Sequence, residues 1–243
     1  MSLFFHPGKE VPFTQPTTKT ERFIVPQKLH YSIHPELKQV SILVGNSGAG
    51  KSTLAKGIRK IGIGFGYLGT GDRLREAQAK SSPLAKVIET YTSIGEHVPK
   101  DVIFPHIAGW FRELADHRLI LSDGCPRNLE QVDDAFKLFH EAGFLSVSTI
   151  YIDTPASKCA HHLLLQAEEA RQNGEERNDG DEEAMANRLS KFPTKVQPIL
   201  DVLRERCDHF VHVETANVSI KDPLVVRDIA INAGIICRGA GCD

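Results

Sequence analysis

The eight residues Gly45-Asn46-Ser47-Gly48-Ala49-Gly50-Lys51-Ser52 follow the short β-branched run Val40-Ser41-Ile42-Leu43-Val44 and open onto a helical pattern over 51–60. Strand, then G-x-x-x-x-G-K-[ST], then helix is the context in which this motif carries a mechanism. Its glycines let successive backbone N–H groups turn inward around a polyphosphate, and the following helix adds partial positive charge at its N-terminus. Lys51 would reach the β- and γ-phosphates of a nucleoside triphosphate, while the Ser52 hydroxyl would lie by Mg2+. The bland alternative, a glycine-rich turn with a chance lysine, is outweighed because all eight positions and both flanks agree. Such a loop names a cofactor class and not a reaction.

Further strands are expected at 66–68, 118–121, 147–152 and 209–213. Helical patterns run over 51–60, 82–94, 99–115, 129–142, 155–171, 181–206 and 225–233. Strands alternating with helices of this length imply an α/β fold, a five-stranded parallel sheet wrapped by helices on both faces. Pro105, Pro193 and Pro198 fall inside helical patterns, where kinks or breaks are expected. Residues 1–37 hold four prolines before Pro35 and a polar run over 14–20, and read as an extended arm. The main domain is expected over 38–233, with a tail at 234–243.

Lysine and arginine number 29 against 31 acids, so the net charge of −2 gives no global field that would gather nucleic acid. An anionic ligand must be held by a local cluster. No stretch approaches the roughly 18–20 apolar residues of a membrane helix, and the start lacks a basic segment ahead of an apolar run. A cytoplasmic, monomeric protein is expected, with no membrane or nucleic-acid partner. The five cysteines are odd in number and form no C-x₂-C pair, which suits reduced thiols.

Two stretches after the second and third expected strands narrow the chemistry. These are Gly69-Thr70-Gly71-Asp72-Arg73-Leu74-Arg75 and Ser122-Asp123-Gly124-Cys125-Pro126-Arg127-Asn128-Leu129-Glu130-Gln131. Both fall at carboxyl ends of strands, where open α/β sheets bind ligands. Thr70 or Asp72 would cap a helix presenting Arg75, and Arg127 would sit near a second helix start with Asp123 close by. Two guanidiniums are thereby expected beside one phosphate loop.

These runs resemble those of the nucleoside monophosphate kinases, adenylate kinases in particular, over about residues 38–233. The T-G-D-x-L-R and D-G-x-P-R-x-x-x-Q patterns occur in family order, and Ile94-Gly95-Glu96-His97-Val98-Pro99 is similar to the family's monophosphate-binding segment. The resemblance implies a core of 38–69, 100–165 and 184–233, a monophosphate-binding insert at 70–99 and a short lid at 166–183. It implies that Thr70, Arg75, Val98, Gly124, Arg127 and Gln131 form the monophosphate site. Arg75 and Arg127 would take the phosphate, Gln131 the base, and Asp123 would hold waters around Mg2+. Uridylate and cytidylate kinases tend to have alanine in the place of Thr70 and asparagine in the place of Gln131, so these two positions favour AMP. The implied reaction is transfer from ATP–Mg2+ to AMP. A UMP/CMP kinase, or a regulatory module that has lost transfer, are the alternatives.

On the same resemblance Arg171, Arg177 and Arg188 fall where lid arginines are expected. Asp179 and Asp181 would orient them or cap the helix. The chain departs from the family in three places. Ser52-Thr53 replaces the usual Gly-Thr, leaving open which hydroxyl is nearer the metal. Where the family has an arginine against the ATP adenine, the nearest candidate here is His162, although His161-His162 also read as surface side chains. Cys125 replaces a phenylalanine, and reads as a small buried hydrophobe.

Overall fold

The computed structural model describes residues 11–12, 38–79, 83–92, 98–172 and 182–236. Five parallel strands form where the apolar runs place them: β2 (Gln39–Val44), β3 (Gly66–Gly69), β4 (Leu119–Asp123), β5 (Ser146–Asp153) and β6 (His209–Glu214). A sixth strand of two residues, β1 (Val11–Pro12), pairs with β6, giving the order β1-β6-β5-β2-β4-β3. The arm thus adds a short edge strand to the five expected, and proline is tolerated there because it breaks no central ladder. The rest of 1–37, and everything after 236, lies outside the described residues.

Strand β2 is buried along its whole length. Val40, Ile42 and Val44 pack on one face of the sheet and Leu43 on the other, the two-residue period of a strand covered on both sides. The first face carries α4 (Lys100–Arg112), α5 (Val132–Glu141) and α7 (Glu182–Arg206). On the second lie α1 (Lys51–Lys60) and α8 (Pro223–Asn232). The polar residues at the start of β2 are satisfied. Gln39 Nε2 donates to Ser148 Oγ at 2.9 Å and to the Ala233 carbonyl at 2.7 Å, and the Ser41 and Ser148 hydroxyls are 2.7 Å apart.

Two helices follow β3, α2 (Thr70–Ala79) and α3 (Pro83–Thr92). Thr70 is the first residue of α2, and the helix expected from Leu129 begins as a 3₁₀ turn, Leu129–Gln131, capped by the Asn128 side chain at 3.1 Å from the Gln131 N–H. Of the kinks or breaks expected at Pro105, Pro193 and Pro198, breaks do not occur, since α4 and α7 are continuous through all three. A proline inside a helix strips the carbonyl four residues earlier of its donor. For Pro193 that carbonyl belongs to Leu189, which instead accepts from Asn46 Nδ2 at 3.4 Å. The defect is used to tie α7 to the phosphate loop. Among the described residues no helix is long and apolar enough to cross a membrane.

Phe111 is fully buried, with ring centroids 4.9 Å from Phe139 and 5.4 Å from Phe144. Phe111→Ala leaves a cavity between α4, α5 and the sheet and is expected to cost about 3–5 kcal/mol. A fall in the urea unfolding midpoint with an unchanged slope checks this.

Candidate functional site

The carboxyl end of β2 lies between β4 and β5, and the chain leaves it for the far edge, β3, before returning to β4. A crevice opens where connections diverge in this way. The phosphate loop crosses its mouth. Gly48 has φ 77°, and a Cβ added there would lie 2.4 Å from the Cys159 carbonyl oxygen, so no side chain fits. Thr154 Oγ1 donates to the Ala49 carbonyl at 2.9 Å, and Asn46 Oδ1 accepts the Ser47 N–H at 2.9 Å. The first turn of α1 carries no acid, so its N-terminal partial charge is left for an anion.

Lys51 Nζ donates to the carbonyls of Gly45 and Asn46 at 2.9 and 3.0 Å and stands 3.8 Å from Asp123 Oδ1. Burial lowers its pKa, the Asp123 carboxylate opposes that, and Arg127 adds to it. A phosphate entering the loop would restore the balance, because it supplies the negative charge a buried ammonium lacks. Asp123 ends β4 in register with Leu43 and Gly69. The Tyr67 hydroxyl donates to its Oδ2 at 2.8 Å, and burial, followed by the Asp123 charge, pushes the Tyr67 pKa well above the phenol range.

The loop faces an open cleft of about 1290 Å³. Arg75 from α2 and Arg127 from the turn after β4 line the same cleft as Lys51. Arg75 pairs with Asp72 in an exposed ion pair, a contact weak enough to yield to phosphate. Gly124 has φ 93°, and a Cβ there would lie 3.2 Å from Thr70 Cβ and 3.3 Å from Arg127 Nη2. Thr70 and Arg127 therefore close over a position that only glycine suits. Thr70 is 3% exposed, and its Oγ1 has no hydrogen-bond partner, a buried orphan that a ligand atom would satisfy. Gln131 is buried, with Oε1 accepting the Arg127 backbone N–H at 2.9 Å, and so fixes the arginine's turn. Thr70, Gln131 and Val98 are all buried and do not line the cleft.

At the other end, Gly45, Asn46, Ser47, Gly48, Gly50, Ser52 and Thr53 all line the cleft with Lys51, and Ala49 is buried behind them. His162 lies on α6 (Ala156–Gln172). It is half-buried rather than on the surface, because its Nδ1 lies 2.8 Å from the Gly48 carbonyl oxygen; His161 is exposed. Arg171, at the end of α6, is exposed, pairs with Glu168 at 3.1 Å and does not line the cleft. Arg177, Asp179, Asp181 and the Arg188 side chain lie outside the described residues.

Tyr67, Lys191 and Lys195 also line the cleft and were not expected to. Two lysines four residues apart on one helix share a face, a signal present in the sequence. Tyr67 gave none beyond its place two residues before Gly69. Ser52 and Asp123 offer oxygen donors to the cleft, the chemistry that suits a Mg2+ keeping most of its waters and carried by nucleotide phosphates.

The fold and the loop together define a phosphate-loop nucleotide-binding protein. Comparison with known proteins refines this. The adenylate kinase family model matches residues 43–207. The adenylate kinase of Thermus thermophilus is 30% identical over 171 residues, which are 70% of this chain and 86% of that protein. The adenylate kinase of Campylobacter concisus is 28% identical over 194 residues, 79% of this chain and 96% of its own. The chain belongs to the adenylate kinase family.

Cys125, Cys159 and Cys207 are buried free thiols, and burial pushes them up to about 12, about 11 and about 12 from the ordinary 9.0. Because their folded pKa values are raised, the stability linked to them is intact below about pH 9 and drains as pH rises towards 11–12. At pH 8 iodoacetamide is expected to leave all three unmodified in the native protein and to modify them in urea, as peptide mass spectrometry would show.

Proposed function

We propose that this chain is an ATP:AMP phosphotransferase that makes two ADP, with ATP on the phosphate loop and AMP between Arg75, Arg127 and Thr70. One observation carries the reading: the loop with its lysine and two arginines from distant stretches line a single cleft. Kinship with the adenylate kinases of Thermus and Campylobacter supports it.

Phosphoryl transfer asks for positioning and charge neutralisation more than for covalent help. AMP has its second phosphate pKa near about 6, so at neutral pH its dianion attacks without a general base. Lys51 and the loop amides hold the transferring group, while Arg127 neutralises its equatorial oxygens and Arg75 orients the acceptor. Ser52 or Thr53, with Asp123 through water, would hold the Mg2+ that accompanies the triphosphate, and the ion would supply positive charge to offset that of the phosphates. Thr70 favours AMP over UMP or CMP, while Gln131, which lies behind the cleft, holds the turn that carries Arg127. His162 and Arg171 belong to the ATP side, and Arg177 and Arg188 complete the cationic ring when 166–183 closes as a lid. The insert at 70–99 closes with it, and the two keep water from competing as acceptor. Every group named belongs to one chain, so a monomer suffices, and free buried thiols fit a cytoplasmic setting.

A coupled assay of ADP formation is expected to show activity with ATP, Mg2+ and AMP, at least about tenfold more than with UMP or CMP. Preference for UMP or CMP would replace AMP as acceptor, and hydrolysis that AMP does not stimulate would point to a regulatory module. Arg127→Ala is expected to lower kcat by about a hundredfold to a thousandfold with an unchanged circular dichroism spectrum; near-normal turnover would remove Arg127 from the mechanism.

A further inference from the structure

We propose that Tyr67 is a positioning residue that holds the Asp123 carboxylate off Lys51, keeping both groups available to the triphosphate and its Mg2+. The proposal rests on the reading of the cleft as an ATP site. Strand β3 pairs with β4 so that Gly69 lies beside Asp123, and Tyr67, two residues earlier on the same face, reaches along the strand end to the carboxylate. Its hydroxyl donates to Oδ2 at 2.8 Å, whereas Lys51 stands 3.8 Å from Oδ1. Each carboxylate oxygen therefore has its own neighbour. The tyrosine bond is of full hydrogen-bond length and the lysine contact is looser.

The ring's path is prepared by the neighbouring glycine. A Cβ at Gly69 would lie 2.7 Å from both Asp72 Oδ2 and Tyr67 Cε1, inside the distance real Cβ atoms keep, so the Asp72 carboxylate and the aromatic ring share the space a side chain at 69 would need. Tyr67 itself lines the cleft. Without the hydroxyl, Asp123 is free to rotate into a closer salt bridge with the partly buried Lys51, and the ammonium would be drawn from the phosphates towards the carboxylate. Such a change weakens groups that act on the transferring phosphoryl.

The test compares Tyr67→Phe, Asp123→Asn and the double variant with the unaltered full chain. Tyr67→Phe keeps the ring over Gly69, so the thermal unfolding midpoint is expected to hold. Its kcat should fall about tenfold, the size expected from one hydrogen bond to a charged group, with KM for AMP within about twofold. Calorimetric titration with ATP, in Mg2+ and in EDTA, should show a smaller Mg2+-dependent gain in affinity for Tyr67→Phe. In the Asp123→Asn background the second change should alter neither readout. An equal fractional loss in both backgrounds, or none in either, would overturn the proposal. Should the unaltered chain bind ATP–Mg2+ yet form no ADP, the AMP reading fails while the calorimetric comparison still decides the role of Tyr67.

Discussion

A lysine ammonium partly buried at the mouth of a parallel sheet, with two backbone carbonyls as its close partners and a carboxylate at 3.8 Å, is the constraint from which the rest of the site follows. Neutral acceptors and a loose counter-ion under-compensate a buried charge. The structure tolerates it because the loop is over-determined: Gly48 is wedged against α6, Ala49 is held by Thr154, and Asn46 is tied to the carbonyl that Pro193 leaves free on α7. Each tether comes from a different element, so the loop's shape is set by the packing of the whole sheet. An incoming polyphosphate meets N–H groups and a cation already in place, and the cost of organising them has been met in folding.

The parallel order of the strands puts the remaining chemistry in reach. Asp123 is in register with Leu43 at the head of the loop, and Gly69 with Asp123, so the ends of three adjacent strands deliver the phosphate loop, the carboxylate and the start of α2 to one edge. Arg75 and Arg127 then need only the first turns beyond those strands to face the same space. The chain's net charge is −2, so it is the local grouping of Lys51, Arg75 and Arg127 in the cleft that offers an anion positive charge.

Much of this is legible in the sequence, for identifiable reasons. Val40–Val44 and the eight loop residues join a buried strand, a glycine turn and a helix start, and each local preference agrees with its neighbours. The helices through Pro105, Pro193 and Pro198 look broken in the sequence because proline is judged by the donor it lacks, while Asn46, remote in sequence, supplies the Leu189 carbonyl with another. His162 reads partly as surface, since periodicity cannot reveal a partner 114 residues away. Tyr67 and Gly69 are legible only together, after the strand pairing shows that one fills the other's missing side chain. The two-residue strand β1 is too short for any periodic signal.

The central claim is that one cleft seats two nucleotides with their phosphates meeting end to end. A single molecule carrying two adenosines joined through five phosphates tests it most directly, because it spans both halves at once and mimics the arrangement at transfer. Calorimetry should give one such molecule per chain, bound at least about a hundredfold more tightly than ATP or AMP, and prior saturation with either nucleotide should weaken it. Two molecules per chain, or an affinity no better than that of ATP with no competition from AMP, would contradict the account.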